Sequence, residues 1–95
     1  MNTARYDMIR ARLEAAFSPE RMELTDESHL HAGHAGAEGG RGHYRLRIVS
    51  HAFAGLRPIA RHQLVYRSLG ELMQTDIHAL SITALTPVES QSISV

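Results

Sequence analysis

The sequence predicts an α+β fold: a two-layer sandwich in which helices cover one face of a three-stranded sheet. Three observations predict it. The chain has 95 residues, the amount that one domain uses, since domains usually run about 100–150 residues. Hydrophobic residues make up 43% and charged residues 21%, enough apolar material for a packed core. Finally, apolar residues recur at helical spacing in two segments and alternate in three, in the order helix, strand, strand, helix, strand. A single domain over residues 1–90 is expected, with residues 91–95 as a disordered tail.

Residues 4–17 set Tyr6, Ile9, Leu13, Ala16 and Phe17 three and four apart, with Arg5, Arg10, Arg12 and Glu14 over the other face. Thr3 is the expected N-cap and Asp7 sits near the positive end of the helix dipole. Ser18-Pro19 ends the run, because a proline disfavours helical geometry in the residue before it. Residues 21–26 alternate, Met22 and Leu24 against Arg21, Glu23 and Thr25, and read as a half-buried strand. From His43 to Ser50 the pattern returns, with Tyr44, Leu46 and Ile48 inward and Arg45 and Arg47 outward. The first two strands should be antiparallel. Between them, five glycines and three histidines from Ser28 to Gly42 predict an irregular loop, long enough in so small a domain to be functional or disordered.

Pro58 suits the first turn of a second helix, which brings Ile59, His62, Val65, Tyr66, Leu69, Leu72 and Met73 together and is expected to break near Gly70. Residues 78–85 alternate, Leu80, Ile82 and Ala84 against Ala79, Ser81 and Thr83, which predicts a third strand. Thr86-Pro87-Val88-Glu89 has the form of a capping box, so a short C-terminal helix begins there.

Composition narrows the function. Ten basic and ten acidic residues leave a formal net charge of zero, unlike the strong positive field of a dedicated nucleic-acid binder. The basic part is the middle, where residues 41–75 hold six Arg and one acid. Every basic residue is Arg, which excludes a Schiff-base lysine and a P-loop lysine. With no Cys, the chain has no disulfide, thiol nucleophile or Cys-built metal site of its own. No apolar run approaches the roughly 18–20 residues of a membrane span, and the first residues carry no apolar signal core. A soluble, cytoplasmic protein is the expectation. No carboxylate pair, Ser-His-Asp set or HExxH motif is present, so an enzyme is not expected.

Seven histidines are the conspicuous excess. His29, His31 and His34 form an H-x-H-x-x-H run that suits a late first-row metal, or equally a solvated His-rich segment. His78 opens the third strand on the parity of Leu80 and Ile82, at the margin of the core side, as a ligand or as a histidine bonded to backbone. His62 lies on the apolar stripe of the second helix, where packing is its simplest role. Arg45, Arg47, Arg57, Arg61 and Arg67 make either a phosphate-binding surface or solvated faces. Three Tyr, two Phe and no Trp leave little for base stacking.

Taken together, Asp26-Glu27-Ser28 with His31, Ile48-Val49-Ser50, Phe53-x-Gly55, Arg61-His62-x-x-Val65-Tyr66 and Ile77-His78-Ala79-Leu80 resemble the BolA family over about residues 5–88. The resemblance implies a class II KH-like fold, αββααβ with a short C-terminal helix. It implies a non-enzymatic adaptor that pairs with a monothiol CGFS glutaredoxin and shares a [2Fe-2S] cluster, in iron–sulfur trafficking or iron regulation. The alternative it implies is a DNA-binding regulator of morphology and stress genes, with Arg57, Arg61, His62 and Arg67 on the nucleic acid. The family's His ligand falls on His78, its variable loop ligand on His31, and His34 is a second candidate in the same loop. Glutaredoxin and glutathione thiolates would complete the cluster, and imidazole ligands would raise its potential, as in Rieske centres. Alone, the chain is expected to hold no cofactor and to be a monomer or weak homodimer. Two departures stand out: Ser90 occupies a position where many relatives carry Trp, and the lone GxxG match, Gly33-His34-Ala35-Gly36, lies between strands rather than helices.

Overall fold

The computed structural model describes residues 3–28 and 41–93. Along the chain run α1 (Thr3–Phe17), β1 (Arg21–Asp26), β2 (Gly42–Val49), a 3₁₀ turn (His51–Phe53), α2 (Pro58–Leu69), α3 (Leu72–Thr75), β3 (Ile77–Leu85) and α4 (Pro87–Ile93). The strands form one sheet in the order β1-β2-β3. β1 and β2 are antiparallel, with Arg21 opposite Val49 and Asp26 opposite Tyr44, whereas β2 and β3 are parallel. That parallel pair needs a crossover, and α2 and α3 supply it.

The core lies on one face of the sheet. Leu24, Tyr44, Leu46 and Ile48 meet Ile9, Leu13 and Phe17 of α1, Phe53 of the 3₁₀ turn, and Val65, Leu69, Leu72 and Ile77 of the crossover. Burying each such side chain contributes about 1.5–3 kcal/mol, so this cluster is what makes the helices stay on the sheet. Phe17 and Phe53 pack with ring centroids 5.0 Å apart. Ser50 ties this end together: its Oγ donates to the Phe17 carbonyl at 2.6 Å and accepts from the Ala52 amide at 3.0 Å. The outward row of β3, Ala79, Ser81 and Thr83, is exposed as its alternation requires.

Helix α1 begins one residue earlier than its pattern suggests, so Thr3 lies within the helix, and Ala16 is exposed rather than inward. The buried stripe of α2 is also rotated from the expected one. Arg61, Val65 and Leu69 are buried at i, i+4, i+8, while Ile59 is 69% and Tyr66 41% exposed. A charged residue on the inward stripe is held by dense hydrogen bonding. Arg61 Nε donates to the Leu56 carbonyl at 2.8 Å, Nη1 to the Ala84 carbonyl at 3.0 Å, and the fork engages both Glu89 oxygens. Counting apolar residues alone misses a guanidinium whose partners are carbonyls and a distant carboxylate.

The break after α2 falls at Gly70, whose φ of 54° and ψ of −129° are open only to glycine. Arg12 of α1 caps that end, donating to the Leu69 carbonyl and to Glu71, both at 2.8 Å. The capping box is formed as its spacing predicts: the Thr86 amide donates to Glu89 at 2.9 Å and the Glu89 amide to Thr86 Oγ1 at 3.2 Å. Helix α4 then continues through Ile93, so residues 91–93 are helical rather than part of a tail. Among the described residues no helix is long and apolar enough to cross a membrane.

Candidate functional site

One pole of the sheet gathers the start of β2, the start of β3 and the end of β1. There Gly42 pairs with Ile77 but His43 pairs with Ala79, so β3 carries an extra residue, His78, opposite a single step of β2. This bulge resets the alternation. Ile77 turns into the core at 1% exposure, Leu80 remains inward, and His78 and Ala79 both stand exposed. The expected placement of His78 at the core margin, read from its parity with Leu80, is therefore corrected: the bulge moves its ring to the open side. It needs no core partner there, which leaves its ring accessible from solvent.

Two side chains of β2 and its approach meet that ring. The His43 ring lies with its centroid 5.0 Å from that of His78, tilted by 48°. His43 is half-buried and its Nε2 is sealed from solvent, so at most one of its nitrogens faces an arriving ligand. Arg41 places Nη2 3.4 Å from His78 Nδ1 and Nη1 3.4 Å from the Gln74 carbonyl. On the other side, Ser28 Oγ accepts the His43 amide at 3.0 Å, and the Ser28 amide donates to Asp26 Oδ1 at 2.9 Å. Ser28 and Arg41 are the two roots of segment 29–40, and both are fastened beside the histidine pair.

Beneath the pair a polar layer fixes the strand starts. The Gly42 amide donates to the Asp76 carbonyl at 2.8 Å, and Arg5 Nε reaches across from α1 to Asp76 Oδ2 at 3.2 Å. The Thr75 hydroxyl, which donates to the same carboxylate at 2.5 Å, and then Arg5 hold Asp76 below the ordinary carboxylate range. Burial, followed by the charge of Asp26, pushes the Tyr44 phenol above its ordinary value. His78 therefore stands on a β3 start held from behind by Asp76 and Ile77.

His29, His31 and His34 lie outside the described residues. Among the described residues no group of three His, Cys, Asp or Glu side chains is arranged to hold a metal ion. The imidazole donors that the described residues bring together are His43 and His78, and the approach to His78 is exposed. The nucleic-acid candidates differ in their exposure. Arg57 and Arg67 are exposed and His62 is half-buried, but Arg61 is 8% exposed with its donors spent on Leu56, Ala84 and Glu89. That corrects its expected place on a phosphate-facing surface. Arg45 and Arg47 on the open sheet face are paired with Glu27 and Glu23. Arg41 and the pairing of His43 with His78 escaped the sequence reading because they depend on a parallel, bulged register between strands about thirty residues apart.

Comparison with known proteins gives a consistent picture. The family model described as BolA-like protein matches residues 13–89. The chain is 46% identical over 81 residues to BolA-like protein 1 of Mus musculus, covering 85% of this chain and 57% of that one. It is 39% identical over 88 residues to a Vibrio cholerae protein named DNA-binding transcriptional regulator BolA, covering 93% and 80%. Among solved structures, the BolA domain of SufE1 from Arabidopsis thaliana superposes with a TM-score of 0.77 at 42% identity, covering 87% of this chain and 92% of that one. The chain spans little more than half the length of the mammalian relatives it matches.

Proposed function

Because the chain belongs to the BolA-like family, we propose that it is a non-enzymatic adaptor that pairs with a monothiol glutaredoxin and shares a [2Fe-2S] cluster with it and with glutathione, in iron–sulfur trafficking or iron regulation. The observation that carries this reading is His78: an exposed imidazole on a bulge, set against His43 and against Arg41, one root of the His-rich segment 29–40, whose other root, Ser28, holds the His43 amide. His78 is the first ligand. The second imidazole comes from His31 or His34, with His43 supporting the His78 ring from behind. A chain without Cys that offers imidazole alone suits a centre whose remaining ligands are thiolates from elsewhere, and the cluster supplies electron-accepting iron when bound.

The test is reconstitution of the cluster on a monothiol glutaredoxin with glutathione, with and without this protein. The adaptor shifts the visible absorption and circular dichroism of the cluster, and His78→Ala abolishes the shift. An unchanged spectrum on addition of the wild-type chain overturns the reading.

A second reading rests on the printed name of the Vibrio cholerae relative: a DNA-binding transcriptional regulator. In this chain it would use Arg57 at the N-cap of α2 with His62 and Arg67 of the helix, since Arg61 is committed within the fold. Duplex binding lost in an Arg57→Ala/Arg67→Ala double variant supports it, and binding indifferent to both removes α2 from the interface.

A further inference from the structure

We propose that Arg41 is a specificity-determining residue of the His78 site, excluding a bare divalent cation from the imidazole and giving way to a metal centre that brings anionic thiolates. The proposal rests on His78 being a metal ligand, as read above, and it deepens that reading by naming what the site refuses.

The starting point is the 3.4 Å approach of Arg41 Nη2 to His78 Nδ1. A guanidinium has five donors and no acceptor, so the contact is a hydrogen bond only in the tautomer whose Nδ1 presents its lone pair and whose ring proton sits on Nε2, the tautomer the proposal requires. A metal needs the lone pair of one ring nitrogen. Binding at Nδ1 takes the atom that Arg41 occupies. Binding at Nε2 moves the proton to Nδ1, where an N–H would face the N–H of Arg41. Both routes require Arg41 to leave, and a guanidinium that stays nearby repels an added cation.

A thiolate-bearing centre changes both terms. Its sulfurs, and the carboxylates of a thiol such as glutathione, offer acceptors to which the guanidinium fork can turn, so Arg41 exchanges a long contact for charge-assisted ones. Its present anchors are easily given up, since the Gln74 carbonyl also lies at 3.4 Å. Nor does the fold depend on it: the same strand start is held by the Gly42 amide on Asp76 and by Ser28 on the His43 amide. Arg41 is free to respond to the charge of what arrives.

The experiment is zinc chloride titrated into the isolated protein, followed by competition with a chromophoric chelator, for wild type, Arg41→Gln and Arg41→Lys, each also carrying His78→Ala. Removing the guanidinium tightens zinc binding about tenfold, the scale on which groups around metal ligands act. The gain disappears with His78→Ala, and Arg41→Lys, which keeps a charge and a donor, stays near wild type. With zinc presented as its glutathione complex, Arg41→Gln gains nothing. Long-range proton–nitrogen spectra of the metal-free wild type place the His78 proton on Nε2. Equal zinc affinity with and without Arg41, a gain that survives His78→Ala, or a proton on Nδ1 overturns the proposal. None of these measurements uses glutaredoxin, so a failure of the adaptor reading shows separately, as an unchanged cluster spectrum.

Discussion

A methyl group on Gly42 has no room. An added Cβ would stand 2.6 Å from Tyr44 Cε2, 2.8 Å from its hydroxyl and 2.9 Å from Ser28 Oγ. Tyr44 is buried and Ser28 holds the His43 amide, so neither moves without disturbing the strand start under His78. Gly42→Ala is therefore expected to cost about 1–3 kcal/mol in urea unfolding, the range for overpacking a closed site, and to shift the ring resonances of His43 and His78. An unperturbed variant would mean that this pole is looser than its contacts indicate. The same residues show how far a sequence carries at this scale. The inward and outward rows of β2 follow from alternation, and the side chains of Tyr44, Leu46 and Ile48 lie where that alternation sets them. His78 does not, because a bulge is a property of the pairing between strands, and one strand's own letters keep strict parity. Arg41 is further out of reach, since nothing local ties an arginine at a loop root to a histidine 37 residues away.

At the scale of elements, the turn chemistry was legible and the charged interior was not. Pro58 at a helix start, Gly70 at the break and the capping box all act through short-range backbone rules that residue type announces. Gly70→Ala would place a side chain at φ 54°, ψ −129°, beside Arg12, and is expected to destabilise the protein by about 1–3 kcal/mol and to loosen the α2–α3 junction. Slower amide exchange or unchanged stability there would contradict the strain. The rotated stripe of α2 has its cause in Arg61, whose link to Glu89 joins α2 to α4. That link, chiefly the Arg61 hydrogen bond and then the Thr86 amide, lowers the Glu89 carboxyl from 4.5 to about 2. A depressed folded pKa gives stability that is fully present above about 4.5 and is lost as the pH falls towards 2. Glu89→Gln is thus expected to be less stable than wild type at pH 7, with the difference shrinking between pH 4.5 and pH 2. Urea midpoints across that interval check it, and parallel curves for the two proteins would exclude Glu89 as a source of acid sensitivity.

The whole molecule has one covered and one open sheet face, zero formal charge, and His43 and His78 side by side at one pole. Its fold class was readable because periodicity, length and caps agree with one another, whereas β3 pairing parallel to β2 emerges only from the assembled sheet. Charge distribution decides how the chain meets a polyanion. Arg45 and Arg47 are paired with glutamates, Arg5 with Asp76, Arg10 with Glu14, Arg12 with Glu71 and Arg61 with Glu89. Among the described residues Arg21, Arg57 and Arg67 stand exposed outside these pairs, and Arg21 begins β1 while Arg57 caps the start of α2 and Arg67 lies in its last turn. Each phosphate neutralised contributes about 0.9 to the slope of log affinity against log salt, so two or three contacts give a slope of about −2 to −3 on duplex DNA. Anisotropy titrations of a labelled duplex between 50 and 200 mM salt measure it, and over that fourfold range affinity should fall about 10–50-fold. A slope of about −6 or steeper would mean that the paired arginines exchange their carboxylates for phosphates on binding. Such a slope needs about seven phosphate contacts, so the open face of the sheet, with Arg45 and Arg47, and the paired arginines of α1 would then add to Arg21, Arg57 and Arg67 as the nucleic-acid surface.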